Sequence, residues 1–175
     1  MADEQDSSQT EKIDPIKEKV IVIAEDDPGT GKLLQDILSK TGFEVILTTD
    51  GKEALKEIKT SDPRVIIADV IMPEMDGFDL FKELRKDKKT AVIPFFVISI
   101  RKNMEESFMG LGVDGFMAKP IQTENFLEQI TALAKRPRRE PEPETGESSG
   151  DKKEDAPAEE SPEKPEEKKE DKEAD

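Results

Sequence analysis

The sequence predicts an α/β protein: a doubly wound, five-stranded parallel sheet of flavodoxin-like order 2-1-3-4-5 with helices on both faces. The first observation is that apolar runs of four to seven residues alternate with segments of helical period, which is typical of a parallel sheet wrapped by helices. The second is that five strand–helix units fit into about 118 residues without long loops. The third is that acidic side chains follow two of the apolar runs, at the strand ends where this fold binds ligands.

Each predicted strand is a short, mainly apolar run. Runs that are apolar at every position, such as residues 20–24, are expected for strands that helices cover on both faces. The predicted strands are residues 20–24, 44–48, 65–69, 94–100 and 115–118.

The predicted helices fill the intervals between the strands. The first begins after Asp27 and Pro28, because an acid suits the N-cap and proline suits the first turn, and it stops at Thr41 and Gly42. Core-facing residues at helical spacing are Leu33, Leu34, Ile37 and Leu38 in the first helix, Phe78, Leu80, Phe81 and Leu84 in the third, and Phe126, Leu127, Ile130 and Leu133 in the fifth. The predicted helices are residues 28–41, 51–60, 76–87, 102–111 and 123–135.

The charge of the chain is concentrated at its two ends. Of the formal net charge of −15, residues 137–175 contribute sixteen acids against eight bases, and residues 1–18 contribute six acids against two bases. We therefore predict one globular domain at residues 19–136, a flexible acidic tail at 1–18 and a disordered Glu/Lys/Pro-rich tail at 137–175. The second tail has no large apolar residue to offset its ordering entropy. An alternative is that it acts as an acidic arm that competes for a basic partner or folds on binding.

Composition excludes several classes of function. The chain has neither cysteine nor histidine, so thiolate or histidine metal sites and Ser-His-Asp catalysis are excluded, and a bound metal must be a hard ion held by oxygen.

The predicted domain carries no basic stripe, which argues against direct DNA binding. The basic cluster at residues 135–139 is interpreted as the end of a helix, where cations suit the dipole. The acidic N-terminus and the lack of a long apolar run predict a cytoplasmic protein without membrane insertion.

Acidic residues follow the first and third predicted strands. Glu25 and Asp26 come directly after the first strand, and Asp69 ends the third. These acids should converge at one edge of the sheet, and three crowded carboxylates are usually tolerated because a divalent cation neutralises them. Magnesium is the expected cofactor, because the sequence offers only oxygen ligands. Asp27, in contrast, is interpreted as a helix cap.

Two further strand ends carry polar side chains. Ser99 lies at the end of the fourth predicted strand, and Lys119, followed by Pro120, lies at the end of the fifth. A hydroxyl and an ammonium beside the acids would bind the oxygens of a phosphoryl group on Asp69. The bond between Lys119 and Pro120 is a candidate for the cis form.

Residues 19–136 resemble a bacterial two-component response-regulator receiver domain. The features that carry the resemblance, in chain order, are Glu25-Asp26, Asp69 in the segment of residues 69–77, Ser99, the run of residues 112–116, and Lys119-Pro120. The resemblance implies that Asp69 accepts a phosphoryl group from a histidine kinase or phosphotransfer protein. It also implies that Asp26 binds Mg²⁺ directly, Glu25 binds it through water, and the backbone carbonyl of Ile71 is a further ligand. Lys119 would balance the added charge, Ser99 would move to the phosphoryl group, and Phe116 would turn inward.

Three positions depart from the family pattern. Ile100 stands where alanine or glycine is usual, and we expect it to restrict access to the phosphoryl site and slow turnover of the phosphorylated form. Ser99 and Phe116 are seventeen residues apart, about two fewer than usual in the family, which predicts a shortened or displaced fourth helix. Phe116 has no hydroxyl, so its rotation would not exchange a hydrogen-bond partner.

The expected function is a stand-alone, phosphorylation-dependent receiver that signals to an unknown downstream protein and is no enzyme beyond Mg²⁺-dependent self-phosphorylation and autodephosphorylation. The alternative is a pseudo-receiver that binds partners independently of phosphorylation. A phosphate loop at Gly29-Thr30-Gly31-Lys32 is disfavoured, because Asp26 and Leu33 occupy positions where that motif needs glycine and Ser or Thr. A dehalogenase-type phosphatase needs a second acid two residues after Asp69, where Ile71 stands.

Overall fold

Five parallel strands form one sheet in the computed structural model of the protein, which describes residues 19–138. The strands are β1 (Val20–Ala24), β2 (Glu44–Thr48), β3 (Val65–Asp69), β4 (Phe95–Ser99) and β5 (Gly115–Ala118). Their order across the sheet is β2-β1-β3-β4-β5, which confirms the predicted fold class. The fourth strand is one residue shorter at each end than predicted.

The register of the sheet aligns the carboxyl ends of its central strands. Ala24 pairs with Ala68, Asp69 pairs with Ile98, and Ser99 pairs with Ala118. The residues that end or follow β1, β3, β4 and β5 therefore meet at one edge, as expected for parallel strands.

Within residues 20–138, six α-helices and one 3₁₀-helix follow the strands. They are α1 (Pro28–Ser39), α2 (Gly51–Ser61), α3 (Gly77–Arg85), α4 (Lys88–Ala91), the 3₁₀-helix Lys102–Met104, α5 (Glu105–Gly110) and α6 (Thr123–Lys135). The single helix predicted at residues 76–87 was wrong at its end, because α3 stops at Arg85 and a new helix follows. The cause is Asp87, whose side chain accepts a hydrogen bond from the backbone N–H of Lys89 at 2.9 Å and so caps α4.

Aspartates begin three of the helices that follow strands. Asp27 accepts from the Thr30 N–H at 2.8 Å, Asp50 accepts from the Glu53 N–H at 2.9 Å, and Asp76 accepts from the Asp79 N–H at 2.7 Å. These bonds satisfy donors that the first helical turn leaves free. The interpretation of Asp27 as a cap is confirmed.

Helices cover both faces of the sheet, and alternate residues of each strand face opposite sides. Val22 and Ile66 pack with residues of α2, α3 and α5, whereas Ile21 and Val65 pack with residues of α1 and α6. This alternation produces two cores, one on each face. Leu33 was predicted to face the core but is 51% exposed, because Leu34 takes the buried position of that helical turn.

The end of the described chain packs back onto the domain. Arg138 forms an ion pair with Asp62 at 2.6 Å and donates to the Pro63 carbonyl at 3.2 Å. Arg64 donates to the carbonyls of Ala134 and Arg136 at 2.5 and 2.6 Å. The contacts therefore continue two residues beyond the predicted domain boundary at 136.

Two predictions concern residues outside this range. The predicted tail at 1–18, and the part of the predicted tail at 137–175 that follows Arg138, lie outside the described residues. Between residues 19 and 138, no helix combines the length and apolar character that crossing a bilayer requires.

Candidate functional site

Three carboxylates meet at the carboxyl edge of the sheet. Glu25 and Asp26 follow β1 and Asp69 ends β3, and each offers an oxygen that lies within 4.8 Å of the others. Glu25 and Asp69 are 2% and 6% exposed, whereas Asp26 is exposed. Two of the three acids are therefore buried, and the third is exposed to solvent.

Lys119 bridges the two buried acids. Its ammonium donates to both carboxylate oxygens of Glu25 at 2.9 Å and also to Oδ2 of Asp69. The backbone N–H of Lys119 donates to the Ser99 carbonyl at 2.8 Å, which ties the lysine to the end of β4. The peptide bond between Lys119 and Pro120 is cis, as the sequence suggested.

The electrostatics of the pocket follow from burial and from these contacts. Burial alone would lower the pKa of Lys119, but hydrogen bonds to Asp69 and Glu25 and the charges of both acids outweigh burial, so the pKa lies above its ordinary value. Burial raises the pKa of Glu25, and the charge of Asp69 adds to this effect, while the hydrogen bond from Lys119 opposes it. One ammonium thus contacts two of the three acids, and the third, Asp26, lies at the exposed side of the group.

The donor set fits a magnesium ion. The three side chains offer only carboxylate oxygens, which hard divalent cations prefer, and one of them is exposed where an ion with several waters can approach. The backbone that follows β3 lies close to the acids, because the Ile71 N–H donates to Oδ1 of Asp69 at 3.2 Å. Both oxygens of Asp69 therefore accept hydrogen bonds from protein groups.

The structure places the other predicted residues around this pocket. Ser99 is fully buried at the end of β4, and its hydroxyl oxygen accepts from the Arg101 N–H at 3.0 Å. Ile100 is 65% exposed beside it. Phe116 is buried, outside the acid group, with its ring 6.3 Å from the ring of Phe108 in α5.

Two glycines, Gly51 and Gly77, lie against the backbone around the site, and neither was predicted to contribute to it. A Cβ atom on Gly77 would lie 2.2 Å from the backbone oxygen of Asp69, and one on Gly51 would lie 2.4 Å from the backbone oxygen of Met75. Each follows a capping aspartate, Asp50 or Asp76. The first turn of a helix tolerates most residues, so glycine after the capping aspartate in both helices is unusual. This repeated Asp-Gly pair was the sequence signal that could have identified the two positions.

Comparison with known proteins agrees with this geometry. The profile of the family described as response regulator receiver domain matches residues 21–131. The alkaline phosphatase synthesis transcriptional regulatory protein PhoP of Bacillus subtilis is 32% identical over 120 residues, which cover 67% of this chain and 49% of PhoP. The chain thus matches about half the length of that relative.

Solved structures show the same fold. The Francisella response regulator 1452 receiver domain is 27% identical with a TM-score of 0.62, and the match covers 67% of this chain and 97% of that one. The chemotaxis response regulator CheY4 of Vibrio cholerae is 26% identical with a TM-score of 0.61, over 65% of this chain and 97% of that one. The sheet order, the acid pocket and the family match lead to one conclusion: the chain belongs to the response regulator receiver domain family.

Proposed function

We propose that the protein is a phosphorylation-dependent receiver in which Asp69 accepts a phosphoryl group from a histidine kinase or phosphotransfer protein. The observation that carries the proposal is the bridging of Asp69 and Glu25 by Lys119, beside a third acid at the open edge of the sheet. A carboxylate in this position is a nucleophile with a cation at its side. Family membership supports the same reaction.

The proposed transfer moves one phosphoryl group between two side chains. A carboxylate oxygen of Asp69 attacks the phosphorus of a partner phosphohistidine, an O–P bond forms, the P–N bond breaks, and its electron pair returns to the imidazole. Glu25, Asp26, Asp69 and the Ile71 carbonyl would hold Mg²⁺, which supplies charge neutralisation for the phosphoryl oxygens. Lys119 would supply a second positive charge beside Asp69.

The proposed state is reversed by hydrolysis. Water attacks the phosphorus, the O–P bond breaks, inorganic phosphate leaves, and the Asp69 carboxylate is restored. We therefore propose that the chain is no enzyme in the ordinary sense, because its chemistry is confined to its own phosphorylation and dephosphorylation. Ile100, 65% exposed next to Ser99, is proposed to restrict the approach of water.

The proposed readout runs from the acid pocket to α5. A phosphoryl group adds roughly −1.5 to −2 charge, and Ser99 would turn its hydroxyl from the Arg101 N–H toward that charge. Phe116 lies one strand further along and packs against Phe108, the buried residue of α5. A shift of Phe116 would therefore displace α5 and change the surface that a downstream protein contacts.

The proposed partners are proteins. The name of PhoP describes a transcriptional regulator, but this chain matches only about half of that relative, and we assign no DNA contact to residues 19–138. A kinase or phosphotransfer protein would deliver the phosphoryl group, and a downstream protein would read the state. We propose the cytoplasm as the compartment of this exchange.

A second candidate function is a scaffold that binds partners regardless of phosphorylation. It is favoured by α5, which has only six residues and no side-chain cap at its N-terminus. A helix this short is marginal by itself and is held by packing. If it moves independently of the acid pocket, phosphorylation would not change the signalling surface.

Amide NMR spectra of the full chain with Mg²⁺, before and after addition of beryllofluoride, separate the two functions. Beryllofluoride mimics the phosphoryl group on aspartate. The receiver predicts shifts that spread from Asp69 through Ser99 to Phe116 and α5, and predicts none in the Asp69→Asn control. Shifts confined to the pocket favour the scaffold, and their absence in the wild-type chain contradicts phosphoryl acceptance.

A further inference from the structure

We infer that Gly51, in the first turn of α2, is a positioning residue that holds the β3–α3 loop (residues 70–76) in the shape needed for metal binding. Gly51 contributes no ligand atom and acts only through the loop. The inference rests on the proposed Mg²⁺ site at Glu25, Asp26 and Asp69, and it assigns part of the affinity of that site to a helix outside the acid group.

The β3–α3 loop is fixed at two points. At its end, the Gly77 N–H donates to the Val70 carbonyl at 3.0 Å. At its outer side, the Gly51 N–H donates to the Met75 carbonyl at 3.1 Å. Between these points lies Ile71, whose carbonyl is the proposed backbone ligand, so the path of the loop determines where that carbonyl lies.

The outer attachment requires glycine. A Cβ atom on Gly51 would lie 2.4 Å from the Met75 backbone oxygen and 2.8 Å from Met75 Cγ. The side chain of Met75 can rotate away, but the backbone oxygen cannot move unless the loop moves with it. Any residue other than glycine therefore pushes the loop and α2 apart.

The loop itself is under conformational constraint. Glu74 has φ +62° in the left-handed region, which is uncommon for a residue other than glycine, asparagine or aspartate. Its side chain forms an ion pair with Lys52 at 2.8 Å, the residue after Gly51. Both partners are well exposed, so this pair supports the attachment weakly. The close backbone approach at Gly51 is the stronger contact.

Reciprocity gives a second observable. If the hydrogen bond between Gly51 and Met75 favours the metal-binding shape, metal binding must favour that hydrogen bond by the same factor. Hydrogen exchange of the Gly51 amide in the wild-type chain should therefore slow when Mg²⁺ is added. The Gly42 amide, which belongs to the turn after α1, is the reference within the same spectrum.

The main test is a Mg²⁺ titration of the full chain followed by amide NMR. We compare the wild type with Gly51→Ala and with Gly110→Ala, a matched control whose added Cβ meets nothing within 4 Å. We expect Gly51→Ala to weaken Mg²⁺ binding by about tenfold, the scale at which residues that orient ligands act, and Gly110→Ala to leave it unchanged. Urea unfolding without Mg²⁺ measures the purely structural cost of each change.

The outcomes are distinguishable. If the wild type does not bind Mg²⁺, the proposed metal site fails and the inference fails with it. If the wild type and Gly51→Ala bind equally well, or if Gly51→Ala changes only the urea midpoint, Gly51 has no positioning role and the proposed function stands. If Gly51→Ala does not fold, Gly51 amide exchange in the wild type decides: unchanged exchange on adding Mg²⁺ overturns the inference.

Discussion

At the scale of single residues, Lys119 is the counter-ion of two buried acids. Replacing it with methionine keeps most of the apolar stem but leaves Glu25 and Asp69 buried without a cation. Breaking a buried pair in this way is strongly destabilising, and we expect Lys119→Met to lower the free energy of unfolding by about 3 kcal/mol without Mg²⁺. Because a divalent cation would replace the lost charge, added Mg²⁺ should restore part of the difference. Urea unfolding with and without Mg²⁺ measures both effects.

The contacts of Lys119 with Glu25 and Asp69 also predict that the stability of the fold depends on pH in the alkaline range. The pKa of Lys119 in the folded state lies above its ordinary value of 10.5, so the stability it contributes is fully present below 10.5 and is lost as the pH rises through the folded-state pKa. The gap in urea midpoint between the wild type and Lys119→Met should therefore be constant through the mildly alkaline range up to 10.5, where both acids are ionised, and narrow above it. A gap that persists unchanged would mean that the lysine stabilises by packing rather than by charge.

Ile100 is the residue for which sequence and structure predict a kinetic effect. It is 65% exposed beside buried Ser99, so Ile100→Ala should leave stability within about 0.5 kcal/mol of the wild type. If its side chain hinders water, the phosphorylated form should lose its phosphoryl group faster in the variant. The rate of phosphate release from the phosphorylated chain measures this. Leu111→Ala, at a side chain 43% exposed on the α5 side of the sheet, is the control, and equal rates in all three chains would remove the gating role.

At the scale of elements, α5 depends on one buried side chain. Phe108 is 1% exposed and packs its ring 6.0 Å from Phe78 and 6.3 Å from Phe116, whereas Met109 beside it is 49% exposed. We expect Phe108→Ala to cost about 3 kcal/mol of stability and to release α5 preferentially, because no side-chain cap holds its start. Hydrogen exchange should show a larger loss of protection in α5 than in α3. Met109→Ala is the control, and uniform loss across both helices would contradict the local role.

Element boundaries were predictable where the signal is local. The starts of α1 and α3 follow from Asp27 and Asp76, which cap the next helix. The break between α3 and α4 was missed because the lysines at 86, 88 and 89 suit the end of a single helix. Only the hydrogen bond that the Asp87 side chain accepts from the Lys89 N–H shows that a new helix begins. The site glycines were missed for a different reason: the Asp-Gly pair marks both positions, but the need for Gly51 arises from its contact with Met75, which the pair does not show.

At the scale of the whole molecule, the fold and the convergence of the acids were predictable for one reason. Parallel strands bring their carboxyl ends to a single edge, so residues placed at strand ends by the apolar runs must meet there. Contacts formed by long, flexible side chains did not follow from any such rule. Arg64 and Arg138 attach the end of α6 and the residues after it to the segment before β3, and only the folded structure shows which carbonyls they reach.

These arginine contacts make a prediction about where the stable domain ends. Removing residues 139–175 should leave the melting temperature unchanged, because that segment has no large apolar residue to bury. Removing 136–175 also deletes Arg138, its ion pair with Asp62, and the Arg136 carbonyl that Arg64 uses. We expect this longer deletion to cost about 1 to 2 kcal/mol, the worth of a few partly exposed hydrogen bonds to charged groups.

Calorimetry of chains ending at residues 138 and 135 compares the two directly. Arg138→Met in the full chain serves as the matched side-chain control, because it removes the ion pair but keeps the backbone and most of the apolar stem. It should lose part of what the shorter chain loses, and the contact of Arg64 with the Arg136 carbonyl should account for the remainder. Equal melting temperatures for the two truncated chains would place the end of the stable domain at α6. A lower melting temperature for the chain ending at 138 than for the full chain would show that residues beyond Arg138 also stabilise the fold.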